Sequence, residues 1–452
     1  MVVELFESLL PKLSRGATIT TDPLSRWSTY KAPNAAVTVN VTSELDVATT
    51  VRFCNEHGFT FLAQNGGSGW ATFPGTKDLV IINLSNLNSV VLAADKTTAV
   101  IGGGARVYET ITAADSADVL VLTGNCNGVG VLGALLGGGY GNLMGKIGGM
   151  GVDSILELRA VTADGAMRTI NASQEPDLFW AMRGAGPNFG VVTSATVKAC
   201  PTQKDKRIAW SGALIYTEDK LEQVVEAIQN IELIPHAVCF MYYGSSGPSN
   251  HVPVIIVTLW LFQGTPESGK ASFKPLFDIG PVMDTTSILP YTEWNTSANP
   301  FCTHAERKPV FTAGLDKLDP KAWREVWNKY VEFQKLPTAH ASAVLLEAYP
   351  NIELDAARTP LASFPHRAVR FQAAILTWYT DEQLDKAAVK CGKEIREVWR
   401  KSNGRDFNAS YVNFAHGDEP LEEIYGDSLP RLRELKRKWD PEDRFNQWFN
   451  IQ

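Results

Sequence analysis

Between Leu122 and Gly141 the chain reads LTGNCNGVGVLGALLGGGYG. Glycine this dense suits neither an ordinary helix nor a strand. It is used where backbone lies against backbone, or against a flat or charged ligand that leaves no room for a Cβ. Cys126 sits in the middle and is a candidate to touch that ligand. Gly128 to Gly133 also matches the dinucleotide pattern G-x-G-x-x-G, with an apolar run before it (Val119 to Leu122) and Asp153 downstream. That pattern needs a helix to begin inside it. Here Gly137, Gly138 and Gly139 fall in the second turn, and each glycine costs a helix roughly 1 kcal/mol relative to alanine. Three readings stand: a Rossmann unit, a purely structural turn, and a ligand-hugging loop of another nucleotide-binding fold. The triple glycine favours the last.

The totals narrow the class. The chain has 452 residues, 44% of them hydrophobic, which is ample for two folded domains. Net charge is −7, from 42 basic and 49 acidic side chains, without a basic tail, which argues against nucleic acid as a partner. The six cysteines (54, 126, 200, 239, 302 and 391) show no C-x-x-C pairing. They read as mostly free buried thiols, with no metal site and no disulfide scaffold. The start, MVVELFESLLPKLSRG, is unlike a signal peptide, and no run reaches the ~18 apolar residues of a membrane span. The expectation is a cytoplasmic protein with no membrane partner, a monomer or homodimer. Sequons such as Asn40-Val41-Thr42 and Asn408-Ala409-Ser410 then read as chance matches.

Periodicity predicts alternating short strands and helices over the first 200 residues. Strands are expected at 36–41, 59–63, 79–84, 98–102, 154–163 and 167–170. A Ser43-capped helix is expected to reach His57, and Asp164-Gly165 marks a hairpin. Phe59 to Ala63 ends in a second glycine-rich loop, Asn65-Gly66-Gly67-Ser68-Gly69-Trp70. Beyond residue 200, strands at 209–214, 254–261 and 368–377 alternate with longer amphipathic helices at 219–231, 320–334 and 381–401. A tail after Gly404 ends in a basic helix, 429–438.

Several separate segments now resemble one family, the berberine-bridge-enzyme-like branch of the vanillyl-alcohol-oxidase superfamily of FAD-linked oxidases. DLFWAMRGAGPNFGVVT (Asp177 to Thr193) is close to that family's most specific signature. VTADG (Val161 to Gly165) is similar to its preceding hairpin, and FPHR (Phe364 to Arg367) resembles a motif of its substrate domain. Tyr411-Val412-Asn413, Tyr425-Gly426, Arg431-Leu432, Leu435-Lys436 and Asp440-Pro441 resemble its C-terminal segment. The resemblance covers nearly the whole chain, most weakly between about 205 and 340.

It implies an α+β, two-lobed PCMH-type FAD-binding fold. Residues 1–204 form the first part of the FAD-binding domain. Residues 205–403 form a central substrate domain on an antiparallel sheet, and 404–452 return to the FAD-binding domain. The cofactor-binding residues implied are Asn65, Gly66, Gly67, Ser68, Gly69, Trp70, Gly103, Cys126, Val129, Gly130, Gly133, Gly137, Gly138, Tyr140, Gly141, Val192 and Asn413. The family attaches its flavin through a histidine in an R-x-G-G-H-S-like loop and a cysteine in a G-x-C-x-x-V-G loop. Ser68 stands where the histidine would be, so no histidyl link is expected. Gly124 to Gly130 keeps the cysteine, so the expected cofactor is FAD joined once, through Cys126. Asn127, Gly128, Leu132 and Ala134 depart from the family's residues. Val129 resembles the small residue of the oxidases, which implies dioxygen as electron acceptor.

The implied reaction sends a hydride from a small organic substrate to flavin N5 and a proton to a base, which must lie within about 3 Å. In many relatives a tyrosine follows the Y-x-N asparagine; here Phe414 stands there and cannot accept a proton. Glu347, in the run Ala343 to Leu346 and beyond, is the next candidate, since burial would raise its pKa toward neutrality. Tyr411 is second. The alternative for Glu347 is an exposed strand glutamate. His366 reads as a packing residue and Trp260, Tyr242 and Trp294 as core; spacing does not place His304 or Arg307. The leading function is an FAD-dependent oxidase of secondary metabolism. A carbohydrate oxidase and a flavin-bearing cyclase without net redox are the alternatives.

Overall fold

In the computed structural model, residues 2–452 are described except 74, 77, 247–250, 353–360 and 405–407. The N-terminal half builds two small sheets. In the first, Ala35–Asn40 and Phe61–Gln64 both pair in parallel with Leu79–Asn83, and Thr18–Thr20 adds an antiparallel edge. Leu79–Asn83 is buried throughout, as a central parallel strand must be. The crossover is the helix Glu44–His57, whose first turn is capped by the Ser43 hydroxyl accepting from the Asp46 amide. In the second sheet the long strand Val191–Pro201 pairs with Thr98–Gly102, Val119–Val121 and Ile155–Val161. The hairpin from Ile155–Val161 to Met167–Asn171 turns at Asp164-Gly165, as the sequence predicts.

The central lobe is an antiparallel sheet. Its order is Met283–Asp284, Ile208–Tyr216, Val252–Phe262, Ala237–Ser246, Ala343–Ala348, Phe371–Leu376 and Val310–Leu315, with Ser287–Pro290 also on Ile208–Tyr216. Alternate residues serve opposite faces. Met241, Tyr243, Leu259, Leu346 and Ala373 pack under the helices Leu221–Asn230, Pro320–Gln334 and Asp385–Asn403, against Val224, Trp323, Trp327 and Trp399. Phe240, Trp260, Leu345, Ala374 and Leu376 share a core with Leu122, Val131 and Leu135 of the first lobe. Cross-strand register places Phe240, Glu347 and Gln372 in one row, and Tyr242, Leu345 and Ala374 in the next. Both rows face the glycine-rich loop. The architecture is α+β and two-lobed.

The signature segments meet. The helix Pro176–Ala185 kinks at Gly184, where φ is +145°. A Cβ there would lie 2.4 Å from the Ser363 hydroxyl and 2.5 Å from the Phe364 nitrogen, so glycine lets the FPHR segment dock. The C-terminal segment packs on the first lobe: Lys436 Nζ donates to the Asn188 carbonyl and Asp440, and Asn413 Nδ2 to the Ala134 carbonyl at 2.8 Å. Among the described residues no helix is long and apolar enough to cross a membrane.

Candidate active site

Strand Phe61–Gln64 runs out into Asn65–Trp70, and strand Val119–Val121 into the glycine-rich loop. That loop forms only a short helix, Val131–Leu135, which ends before the triple glycine. The two loops lie backbone to backbone: a Cβ on Gly66 would sit 3.0 Å from the Gly128 carbonyl and from the Gly130 nitrogen. A cavity of about 360 Å³ lies between them, the sheet face and the C-terminal tail. Asn65, Gly66, Gly67, Ser68, Gly69, Trp70, Cys126, Val129, Gly130, Gly133, Tyr140, Glu347, Tyr411 and Asn413 line it. Gly103, Gly137, Gly138, Gly141 and Val192, expected with them, do not. A Cβ on Gly103 would meet the Val192 carbonyl at 2.5 Å, on Gly137 the Asn413 Oδ1 at 2.0 Å, on Gly138 the Phe364 ring at 2.9 Å and on Gly141 the Thr123 carbonyl at 2.1 Å. Close packing of the chain on itself demands these glycines.

FAD fits the residues that remain. Gly124 and Gly133 line the cavity, and a Cβ on either would meet no protein atom within 4 Å, which leaves an open floor for a flat ring. The buried Asn65 Oδ1 has no hydrogen-bond partner among the described residues and suits an N–H or hydroxyl donor. Arg26 is buried against the cavity without a carboxylate partner among the described residues. Its guanidinium donates to Gln64 Oε1 at 2.7 Å and lies 4.7 Å over the Phe73 ring. Burial lowers its pKa to about 10, so it stays cationic at neutral pH and suits a pyrophosphate.

Glu347 is buried, not an exposed strand residue. Burial raises its pKa from 4.5 to about 7, against the opposing hydrogen bond from Tyr349. The direction of that bond is fixed by its neighbours. Asn125 Oδ1 accepts from the Asn142 amide, so its Nδ2 donates to the Tyr349 hydroxyl at 2.9 Å, and that hydroxyl donates to Glu347 Oε2 at 3.0 Å. Tyr349 stacks on Tyr140 at 4.8 Å, and Gln372 holds the Tyr140 hydroxyl. The Tyr411 oxygen accepts from the Gly139 amide and Asn413 Nδ2, yet burial pushes its pKa up to about 12. At neutral pH it is a phenol, poorly suited to take a proton. Phe414 stacks on Trp70 at 4.3 Å and stands edge-on to Tyr411 at 4.9 Å.

The cysteines correct the sequence reading. Cys126 and Cys302 form a disulfide, with Cα atoms 6.5 Å apart; Cys54, Cys200, Cys239 and Cys391 are free. The sulfur expected to carry the flavin is therefore bonded elsewhere in this state, and the two bonds exclude each other. Tyr242, expected in the core, lines the cavity and stacks on Phe301. Trp260 and Trp294 are core. His366 accepts no cavity role: its Nε2 lies 2.7 Å from the Glu423 carbonyl. His304 meets Ser25, and Arg307 pairs with Asp385. Arg26, Asn125, Tyr349 and Cys302 were not expected. Asn125 lies beside Cys126 in the glycine-rich loop and Tyr349 two residues past Glu347, whereas Arg26 and Cys302 reach the site through tertiary contacts that no local motif announces.

A glycine-floored cradle beneath an antiparallel sheet, with a buried carboxylate across the cavity, is the arrangement of an FAD-dependent oxidoreductase, and comparison with known proteins agrees. The FAD binding domain profile matches residues 35–171, and the profile described as berberine and berberine like matches residues 410–452. The chain is 33% identical over 433 residues to the FAD-linked oxidoreductase OXR1 of Pyricularia oryzae, covering 93% of this chain and 84% of that protein. It is 31% identical over 443 residues to the FAD-linked oxidoreductase hasG of Aspergillus fumigatus, covering 93% and 92%. The glucooligosaccharide oxidase of Acremonium strictum, with a 6-S-cysteinyl, 8α-N1-histidyl FAD, shares the fold with a TM-score of 0.82 at 16% identity, over 99% of each chain. The chain belongs to the berberine-bridge-enzyme-like family of FAD-linked oxidoreductases.

Proposed function

We propose that this enzyme oxidises a small, largely apolar organic substrate of secondary metabolism and passes the electrons to dioxygen. FAD, when bound, supplies a hydride acceptor at N5 and a route for electrons to oxygen. Arg26 and the backbone N–H groups of Asn65–Gly69 hold its pyrophosphate. The Gly124–Gly130 loop supports its ring, Asn413 ties the C-terminal tail beside it, and reduced Cys126 anchors it covalently.

Glu347 carries the reading. It is the carboxylate on the cavity-facing rows of the sheet, and burial sets its affinity for a proton near neutrality, where a general base works best. Tyr349 orients it. Phe240, Tyr242, Phe301, Leu345 and Leu376 make the surrounding wall aromatic and aliphatic, which suits a flat organic molecule better than a sugar. The test is a substrate screen under air, read as peroxide, followed by anaerobic addition of each hit. Bleaching of the flavin supports the oxidase reading. Product formed without bleaching or peroxide would replace it with template-type cyclisation.

Val129 lines the cavity beside Cys126. Its small side chain leaves oxygen a path. Val129→Leu should slow reoxidation by air in stopped flow while leaving anaerobic reduction nearly unchanged. An unaltered reoxidation rate would remove Val129 from the oxygen path.

A further inference from the structure

The 3₁₀ segment Thr296–Cys302 is laid against the glycine-rich loop by contacts that involve no sulfur. Asn295 Nδ2 donates to the Gly124 carbonyl at 3.3 Å, and Asn127 Nδ2 to Asn299 Oδ1 at 2.9 Å. Trp27 Nε1 donates to the Phe301 carbonyl at 2.6 Å. A Cβ on Gly128 would lie 3.3 Å from Cys302 Cβ, so glycine there admits the cysteine. Cys302 is thus parked beside Cys126 by its surroundings, across a sequence separation of 176 residues. Both cysteines line the cavity, so a soluble reductant has a route to them. The four free cysteines do not line it.

We propose that Cys302 is a thiol gate on cofactor attachment: paired with Cys126 it blocks the covalent bond to flavin, and only the dithiol form of the pair becomes linked. This rests on the assignment of Cys126 as the attachment residue. The chemistry balances. A dithiol reductant gives two electrons and two protons to the Cys126–Cys302 bond and leaves as its own disulfide; Cys126 and Cys302 become thiols. Joining the Cys126 sulfur to a ring carbon of flavin then replaces one S–H and one C–H bond by one C–S bond. The two electrons and two protons released pass to dioxygen, giving hydrogen peroxide. Cys302 remains a free thiol, and the thioether does not reopen by thiol exchange.

Apoprotein is prepared in two forms, oxidised with diamide or reduced with dithiothreitol and desalted, then incubated with FAD in air. Acid precipitation, intact mass and non-reducing peptide mapping follow. Oxidised wild type should bind FAD, release all of it into acid, and show the 126–302 cross-linked peptide. Reduced wild type should keep its yellow colour in the precipitate and show a flavin-bearing Cys126 peptide. Cys302→Ser should keep the colour after either treatment. Equal covalent flavin in oxidised and reduced wild type overturns the gate while leaving Cys126 as the attachment residue. Flavin that binds but washes out of reduced wild type and of Cys302→Ser alike overturns the attachment assignment itself, and the gate with it.

Discussion

Glu347→Gln should bind FAD normally and reduce it at least a hundredfold more slowly than wild type at neutral pH. General-base catalysis is worth roughly 10²–10⁴ in rate, and glutamine keeps the shape while losing the basicity. The measurement is anaerobic flavin bleaching in stopped flow. In wild type the working form is the carboxylate, so the rate should rise with pH through the pKa of about 7 that burial imposes. Tyr349→Phe removes the hydrogen bond that opposes this rise, so its ascending limb should move to higher pH. Tyr411→Phe should cost less than Glu347→Gln.

The same shift has a stability consequence. The folded-state pKa lies above the unfolded value of 4.5, so protonated Glu347 stabilises the fold below that value. The contribution fades as pH rises through about 7. Over that window the loss is on the order of 3 kcal/mol. Glu347→Gln cannot ionise. It should therefore melt near wild type at pH 5 and above it at pH 8. Near-normal flavin reduction by this variant would move the base to Tyr411 or to the substrate itself.

Arg26→Gln should weaken FAD binding roughly tenfold to a hundredfold, the value of one charge-assisted hydrogen bond of about 1.5–3 kcal/mol. The contacts of Arg26 are Gln64 Oε1, the Gly69 carbonyl and the Phe73 ring, and no carboxylate meets it among the described residues. A buried cation in that state destabilises the fold. A bound pyrophosphate removes the cost. The substitution should then act in opposite directions, raising the melting temperature of the apoprotein and lowering that of the FAD complex. Fluorescence titration with FAD and paired melts read both. Unchanged affinity would make Arg26 a packing residue.

What was legible in the sequence follows the range of the interactions. The Ser43 cap, the Asp164-Gly165 hairpin and the helix at Pro320–Gln334 are local, and they stand where the pattern puts them. The glycine-rich loop was recognisable as a place of close approach, but its partner at each glycine was not: Gly137 yields to Asn413, and Gly133 to open cavity. Glu347 was visible as a carboxylate in an apolar run. Ala343 to Ala348 is buried on both faces, so no alternation shows which side its residues serve. Only pairing with Phe240 and Gln372 settles the face. For the same reason Tyr242 read as core. Arg26 depends on Gln64 and Gly69, 38 and 43 residues away, and Cys302 on Cys126, 176 residues away, and no local pattern encodes either contact.

The parity of the central sheet has a consequence for how such an enzyme diversifies. On the strands Ala237–Ser246 and Ala343–Ala348, Phe240, Tyr242, Ala343, Leu345 and Glu347 meet the cavity, and Met241, Tyr243, Val344 and Leu346 between them join the core under the helices. Changes along a single strand are thereby sorted by residue parity. Substitutions at Phe240, Tyr242 and Leu345 reshape the cavity wall, with Phe240 and Leu345 also touching the core shared with the first lobe, while Met241, Tyr243 and Leu346 serve the packing under the helices. A lineage built this way can reshape its cavity while the layer of side chains beneath the helices stays intact.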